Sequence, residues 1–318
     1  MAVKTSDLLD FYYEELYPEL EKLEKERLAV RKRLFFSFAV IGVAALFFLK
    51  ATYEMPHGGD IAFWIVAAAM GTGGFVYRWL TDDYRRRFKA NIFRRLITRI
   101  DPTLLYNPAG MVPRTLFQLS GLFGDDIDYY DGNDLIRGTI GDTPLEFSDL
   151  KVEKETRDSK GRRHRVTIFA GTFIVTEFHK NFQHTVKVYP DVAEKYLGVV
   201  GGWLQGMTSG KLVRMDSPAF EKEFKVVADD AVEAHYLLTP NIMEKLVQLR
   251  KKADAPVYLS FRLDKLFIAI ANGGDWFEPT LFKSLLGVDI FKSYIENLNL
   301  VLGIVEDLNL NRRIWSKE

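Results

Sequence analysis

The chain has 318 residues, which is enough for an anchor and one or two folded domains with their own cores. Its 43 basic and 43 acidic residues cancel, so net charge gives no argument for nucleic acid or an acidic substrate as a partner. There are no cysteines. Their absence excludes disulfides, thiolate metal sites and thiol catalysis, and it fits a reducing compartment.

Two long apolar runs, at 34–49 and 61–77, contain no acidic or basic residue. This pattern predicts a pair of membrane spans, because the helices of a soluble hairpin normally carry a polar stripe. With their amphipathic neighbours, the spans are expected at about 34–53 and 61–80, joined by a short turn. The first run follows 33 residues rich in charge, so we expect no cleaved secretory signal.

Charge next to the runs predicts their orientation. Basic residues are concentrated before the first run and after the second, whereas the connecting turn carries one Lys, one Glu and one Asp. The positive-inside rule therefore places both termini in the cytoplasm and the turn outside. We expect the basic side chains nearest the runs to contact the membrane surface, with anionic lipid headgroups as candidate ligands; they are Arg31, Lys32, Arg33, Arg78, Arg85, Arg86, Arg87 and Lys89.

Small residues in the second run mark a candidate helix-packing face. Ala67, Gly71 and Gly74 lie close to one another on a helix, which allows another helix to approach. That helix is either the first span or the second span of another copy of the chain.

Residues 1–33 are predicted to form a cytoplasmic helical segment. Apolar residues recur at intervals of four and three, at Leu9, Tyr13, Leu16, Leu20 and Leu23. This seam favours docking on the C-terminal domain of the same chain, and a coiled coil is the alternative. A continuous helix is expected from about Pro18 through the first span. Residues 81–106 predict a basic juxtamembrane helix, ending near Ile100, followed by a loop.

Residues 107–318 predict a cytoplasmic α+β domain in which antiparallel strands are covered by helices. Strands are expected at 135–147 around a turn at Gly141, and at 166–178, 185–189, 224–227, 232–238, 257–263 and 266–271. Helices are expected from 191, over 240–252 and over 289–310. Two strand-rich segments, each followed by a helix, indicate that 107–210 and 211–318 are two similar halves. The fold class is thus a membrane-anchored α+β protein with an N-terminal helix and a transmembrane helical hairpin.

No chemical motif in the sequence predicts catalytic residues, a cofactor, a metal site or a nucleic-acid partner. The acidic stretch 125–134 fails as a calcium loop because Gly132 comes one place late, so we interpret it as a solvated loop. The segment 206–211 resembles a phosphate loop but has three residues between its glycines, and Leu212 follows its lysine. Glu177 and His179 are interpreted as a surface pair rather than a catalytic dyad.

Several short motifs, in this order and spacing, resemble a bacterial family known as domain of unknown function 3137. Besides the N-terminal hairpin they are 145–150 (LEFSDL), 169–173 (FAGTF), 217–220 (SPAF), 229–233 (DDAVE), 237–240 (LLTP), 277–279 (FEP) and 310–315 (LNRRIW). The resemblance implies a bacterial inner-membrane protein with a cytoplasmic domain, and it brings no assigned activity. Phe220, Leu237 and Trp315 are then expected in the core, with Ser217 and Thr239 as helix caps.

The leading hypothesis is a non-enzymatic binding or scaffolding protein in the bacterial inner membrane, multi-pass, with both termini cytoplasmic. Its expected partners are the lipid bilayer and a second protein or another copy of itself. One alternative is an enzyme acting on lipid or envelope precursors at the cytoplasmic face. The other is an oligomeric pore, although neither run contains the ionisable residue that an ion pathway would need.

Overall fold

The computed structural model describes residues 10–53, 55, 58–124, 126–177, 182–191, 210–274 and 276–308. The chain divides into two compact units. The first comprises Val3–Leu96 together with Glu278–Phe291, and the second comprises Ile97–Phe277 together with Lys292–Glu318. Each unit is described by itself.

The first unit is built on two long helices. A π-helical turn, Tyr12–Leu16, leads directly into α1 (Tyr17–Thr52), whose second residue is Pro18. Helix α2 (Gly58–Phe88) packs along α1. Through a second π-helical turn, Lys89–Phe93, it leads into α3 (Arg94–Ile100). The structure confirms the continuous helix predicted through the first run. The predicted basic helix after the second run is continuous with the helix that contains this run.

The seam before the first run packs against a later part of the same unit. Leu16, Leu20 and Leu23 are buried as predicted, whereas Tyr12 is fully buried and Tyr13 is 56% exposed. The prediction for Tyr13 was wrong because the π-helical turn widens the helix and shifts the seam by one residue. Tyr12 donates a hydrogen bond to the Leu286 carbonyl at 3.1 Å, so the seam contacts the chain itself. Leu9 lies outside the described residues.

The second unit contains one antiparallel sheet, with nine strands in the described residues. In chain order the strands are β1 (Leu105–Asn107), β2 (Tyr129–Ile140), β3 (Thr143–Arg157), β4 (Arg163–Glu177), β5 (Val186–Pro190), β6 (Lys211–Val213), β7 (Phe224–Ala228), β8 (Val257–Arg262) and β9 (Lys265–Ile270). Their order across the sheet is β1-β2-β3-β4-β9-β8-β5-β7-β6. The predicted turn at Gly141 joins β2 to β3, and the predicted strands β8 and β9 form a hairpin. Strand β3 runs ten residues beyond the predicted end at 147 and forms a further hairpin with β4.

The order of the strands links the two halves of the sequence. Strand β5, from residues 107–210, pairs with both β7 and β8, which come from residues 211–318. The two halves therefore share one sheet and one set of backbone hydrogen bonds.

One predicted strand is a helix. Residues 232–238 were expected to be extended, but α6 (Ala231–Leu237) is helical. The cause is local, because the Asp230 side chain accepts a hydrogen bond from the Glu233 backbone N–H at 2.8 Å and caps the helix. This capping interaction outweighs the apolar composition of the segment.

Two of the remaining helices are short, α4 (Arg114–Leu119) and α5 (Pro218–Glu221). The other two are longer, α7 (Pro240–Ala253) and α8 (Val288–Asp307). Ser217 and Thr239 cap α5 and α7 as expected, by accepting hydrogen bonds from Phe220 and Ile242 N–H groups. Phe220 and Leu237 are buried, which confirms both as core residues. The helix predicted from 191, the 206–209 segment and Trp315 lie outside the described residues.

Aromatic rings form the centre of the sheet's core. Phe117 of α4 stacks on Phe123 with ring centroids 5.4 Å apart, and Phe173 of β4 lies 5.0 Å from Phe117. Tyr258 of β8 packs against Phe123 at 5.1 Å and is 2% exposed. Burial raises the pKa of the Tyr258 hydroxyl to about 12.

Candidate membrane-proximal site

The helix pair leaves its apolar side chains uncovered. In the most apolar stretch of 18 residues, mean hydropathy is 2.2 on the first helix and 1.4 on the second, yet only 6% and 0% of these stretches are buried. Phe36, Trp64 and Met70 are each at least 70% exposed. Soluble proteins rarely expose a continuous apolar surface of this kind. By length and composition the two helices are candidate membrane spans.

The contact between α1 and α2 does not use the predicted packing face. A side chain added at Gly73 would lie 3.6 Å from the Phe38 ring, so Gly73 faces α1. A side chain added at Gly71 or Gly74 would meet no atom within 4 Å, and Ala67 is exposed. The Ala67, Gly71 and Gly74 face therefore does not pack against α1. Contact with another copy of the chain stays a prediction.

A cleft of about 550 Å³ lies between α1 and α2, just beyond the apolar runs. We call it the basal cleft, and its lining residues are Glu26, Ala29, Val30, Arg33, Trp79, Leu80, Asp82, Asp83, Tyr84, Arg86 and Arg87. Three guanidinium groups and three carboxylates line it, so its charges balance. Arg87 joins the two helices by contacting Glu26 of α1 at 3.1 Å and Asp83 of α2 at 2.8 Å. These two carboxylates raise the pKa of Arg87.

The eight predicted lipid-contacting cations fall into two groups. Four on α2 and the turn after it are ion-paired within the first unit: Arg85 and Lys89 with Glu278, and Arg86 and Arg87 with Asp83. The prediction for Lys89 needs correction, because its side chain is only 7% exposed and its ammonium contacts a carboxylate. The other four side chains make no ion pair with any described residue and border the apolar runs directly; they are Arg31, Lys32, Arg33 and Arg78.

A buried ion pair on α1 holds the segment Glu278–Phe291. Arg27 donates to both carboxylate oxygens of Glu24, at 2.9 and 2.6 Å, and to the Leu281 carbonyl at 2.6 Å. Glu24 in turn accepts a hydrogen bond from the Leu285 backbone N–H at 2.9 Å. The side chains of Arg27 and Glu24 are 3% and 12% exposed. We call these interactions the Glu24–Arg27 clamp.

Hydrogen bonds within the clamp also shift the pKa values of Glu24 and Arg27. The Arg27 guanidinium lowers the pKa of Glu24, and the Glu24 carboxylate raises the pKa of Arg27. The clamp is not predictable from the sequence alone. The spacing of Glu24 and Arg27 marks a helical ion pair, but nothing in the sequence indicates that residues 281 and 285 supply its other partners.

The sheet carries a smaller concavity of about 270 Å³, formed where β2, β3, β4 and β9 lie side by side. Its charged groups are paired, Arg137 with Glu146 at 3.0 Å and Lys265 with Glu177 at 3.9 Å. No histidine or hydroxyl nucleophile with an adjacent base lines the described part of this concavity. The arrangement is a surface of ion pairs. The predicted partner of Glu177, His179, lies outside the described residues.

Two carboxylates are buried within the sheet, and both have hydrogen-bond partners. Asp149 of β3 accepts a hydrogen bond from the Thr172 hydroxyl at 2.6 Å, and Thr172 accepts another from Asn272 at 3.0 Å. Asp134 is fully buried and accepts a hydrogen bond from the Tyr106 hydroxyl. The interpretation of 125–134 as a solvated loop was therefore wrong for Asp134, because strand β2 begins at Tyr129. Among the described residues, no three acidic or histidine side chains are grouped to hold a metal ion.

These features define the class of protein, which is an apolar helix pair combined with an α+β domain built on an antiparallel sheet. Residues 167–310 match the family described as "Protein of unknown function (DUF3137)". The predicted resemblance is confirmed over that range. The helix pair, the 145–150 motif and residues 311–315 of the last motif lie outside it.

Two further comparisons add little. No curated protein sequence matches this chain. The crystal structure of the mycobacterial trehalose monomycolate transport factor A, TtfA, is similar with a TM-score of 0.36 and 10% sequence identity. That similarity covers 69% of this chain and 94% of TtfA, and at this level it carries no conclusion about the chain.

Proposed function

We propose that this protein is anchored in the bacterial inner membrane by α1 and α2, and that its sheet-bearing unit binds a protein partner in the cytoplasm. The exposed apolar surface of the two helices is the observation that carries the proposal. Transfer of such a surface from water into hydrocarbon is favourable by about 25 cal/mol for each Å². Each helix also exceeds the roughly 20 residues needed to cross the hydrocarbon core.

Charge supports an orientation with both termini on the cytoplasmic side. Arg31, Lys32 and Arg33 precede the first run, and Arg78 follows the second, so all four lie at the same end of the helix pair. Without ion-pair partners among the described residues, they are free to contact headgroups, where each contributes about 1 kcal/mol next to an anionic surface.

A sheet edge that is open among the described residues supports the binding role. Strand β6 pairs with β7 on one side, and no described strand pairs with its other side. Leu212 on β6 is 66% exposed, and α6 beside it exposes Val232 by 78%. An exposed strand edge next to apolar side chains accepts an extended segment of another protein through backbone hydrogen bonds.

The anchoring and its orientation are tested by cysteine labelling, which the cysteine-free sequence permits without background. Met55→Cys places one thiol in the connecting turn, and Lys160→Cys places one at the exposed tip of the β3–β4 hairpin. In spheroplasts containing the full chain, a membrane-impermeant maleimide is expected to label Met55→Cys before lysis and Lys160→Cys only after lysis. Labelling of Lys160→Cys before lysis would refute the orientation. Recovery of the full chain in the soluble fraction would refute the anchoring.

The binding role is tested by the mass of the protein extracted from its own membrane in native lipid. We expect a mass above that of one chain. A Leu212→Lys variant, which places a charge on the open edge, is expected to lose the added mass, whereas the control variant Lys160→Ala keeps it. A single chain alone, in the unaltered protein, would contradict the binding role while leaving the anchoring intact.

A further inference from the structure

The segment Glu278–Phe291 carries a turn that stands close to the membrane end of the helix pair. Along this segment, Glu278 contacts Lys89 and Arg85, and the Thr280 carbonyl then accepts a hydrogen bond from the Tyr84 hydroxyl at 3.2 Å. The chain therefore moves toward the apolar run of α2 between residues 278 and 280.

Beyond the turn, the segment moves away from the apolar runs again. Arg27 holds the Leu281 carbonyl, Glu24 holds the Leu285 N–H, and Tyr12 holds the Leu286 carbonyl. These partners lie progressively farther from Leu34, where the first run begins. The turn 280–283 is thus the part of the segment that is nearest to the apolar runs.

Side-chain direction fixes the height of this turn. In a helix each side chain leans toward the N-terminus, so the ring of Tyr84 points from its Cα back toward Leu80 and the apolar run. Tyr84 follows Leu80 by four residues, a rise of about 6 Å. The headgroup layer of one leaflet is about 5–7 Å thick. If Leu80 marks the hydrocarbon boundary, Thr280 lies within the headgroup layer.

The exposed side chains of the turn suit that layer. The Thr280 hydroxyl closes the turn by donating to the Lys283 carbonyl at 3.0 Å. Leu281 and Leu285 are buried and fix the turn to the helices, while Phe282 is 66% exposed and Lys283 is exposed beside it. An aromatic ring next to an ammonium group is a combination favoured at the boundary between headgroups and acyl chains.

We propose that the turn 280–283 is a third membrane contact, in which Phe282 inserts into the headgroup boundary and Lys283 contacts lipid phosphates. This inference rests on the anchoring proposed above. It makes Glu278–Phe291 a segment held between the helix pair and the bilayer surface, although it is distant in sequence from both spans.

Single-cysteine probes in the full chain, reconstituted in vesicles of phosphatidylglycerol and phosphatidylethanolamine, test the contact. An environment-sensitive fluorophore is attached at Phe282→Cys, at Val43→Cys within the first apolar run, and at Tyr13→Cys, an exposed aromatic position on the π-helical turn that precedes α1. We expect a blue shift at Phe282→Cys and strong quenching by lipids spin-labelled near the headgroup. Val43→Cys is expected to be quenched by lipids labelled deep in the acyl chain, and Tyr13→Cys by neither kind of labelled lipid.

The outcomes separate the two proposals. Quenching at Val43→Cys without quenching at Phe282→Cys would overturn the third contact and leave the anchoring intact. Quenching at Tyr13→Cys as strong as at Phe282→Cys would also overturn it, because the turn would then have no preference for the bilayer. Absence of quenching at Val43→Cys would overturn the anchoring and the third contact together.

Discussion

Substitution of Arg27 by Met tests whether the Glu24–Arg27 clamp holds the segment Glu278–Phe291 on α1. Methionine retains most of the side-chain volume but removes two hydrogen bonds to Glu24 and one to the Leu281 carbonyl. The Glu24 carboxylate, 12% exposed, would be left with the Leu285 N–H and without its charged partner.

The magnitude follows from burial. Removal of one partner from a buried ion pair costs about 3–5 kcal/mol, because the remaining charge is left uncompensated. Glu24 keeps some contact with water, so we expect the lower end of that range. A loss of about 3 kcal/mol in local stability corresponds to an increase on the order of 100-fold in the population of the detached segment.

Amide hydrogen exchange in detergent measures this opening directly. The amides of residues 281–286 should exchange on the order of 100-fold faster in Arg27→Met. The control is Lys22→Met, which removes an ion pair with Glu19 of the same spacing on the same helix but with a lysine that is 69% exposed. Exposed pairs contribute about 0.5 kcal/mol or less, so exchange there should hardly change. Equal exchange in both variants would refute the assignment of the clamp.

Three further predictions concern the pH dependence of stability and the steric room at two glycines. Because the pKa of Glu24 is lowered in the folded state, the clamp is fully stabilising above the ordinary glutamate pKa of 4.5, and this stabilisation is lost as the pH falls through the pKa of the folded state. Protection of the amides of residues 281–286 from hydrogen exchange should therefore decline below pH 4.5. The same decline should not occur in Arg27→Met. The raised pKa of Tyr258 works in the opposite direction, so the second unit should lose stability as the pH rises from 10 toward 12, and Tyr258→Phe should reduce that loss in thermal unfolding. Gly171→Ala would place a Cβ 2.0 Å from the Ile270 carbonyl oxygen and should cost about 3 kcal/mol by forcing β4 and β9 apart, measured by chemical unfolding. The control is Gly161→Ala, in a turn where the added Cβ would meet no atom within 4 Å, and it should cost about 1–2 kcal/mol for the positive φ alone. An equal loss of stability in both variants would contradict the steric explanation.

Local signals in the sequence predicted most of the secondary structure. The apolar runs, the turn at Gly141, the strand β8 and the caps Ser217 and Thr239 each depend on neighbouring residues alone, and the structure bears them out. Where a prediction was wrong, a local interaction opposed the pattern on which the prediction was based. The Asp230 cap made α6 a helix, and the π-helical turn buried Tyr12 in place of Tyr13.

By itself, the sequence determined the apolar helix pair, the cations that flank it and the α+β character of the rest, because each depends on composition and spacing within a short stretch. Tertiary structure alone decided which groups meet across long separations. It inserted β5 between β7 and β8, paired Lys89 with Glu278, and brought residues 281 and 285 to the Glu24–Arg27 clamp. Such pairings depend on how the whole chain packs, and no short stretch of sequence contains that information.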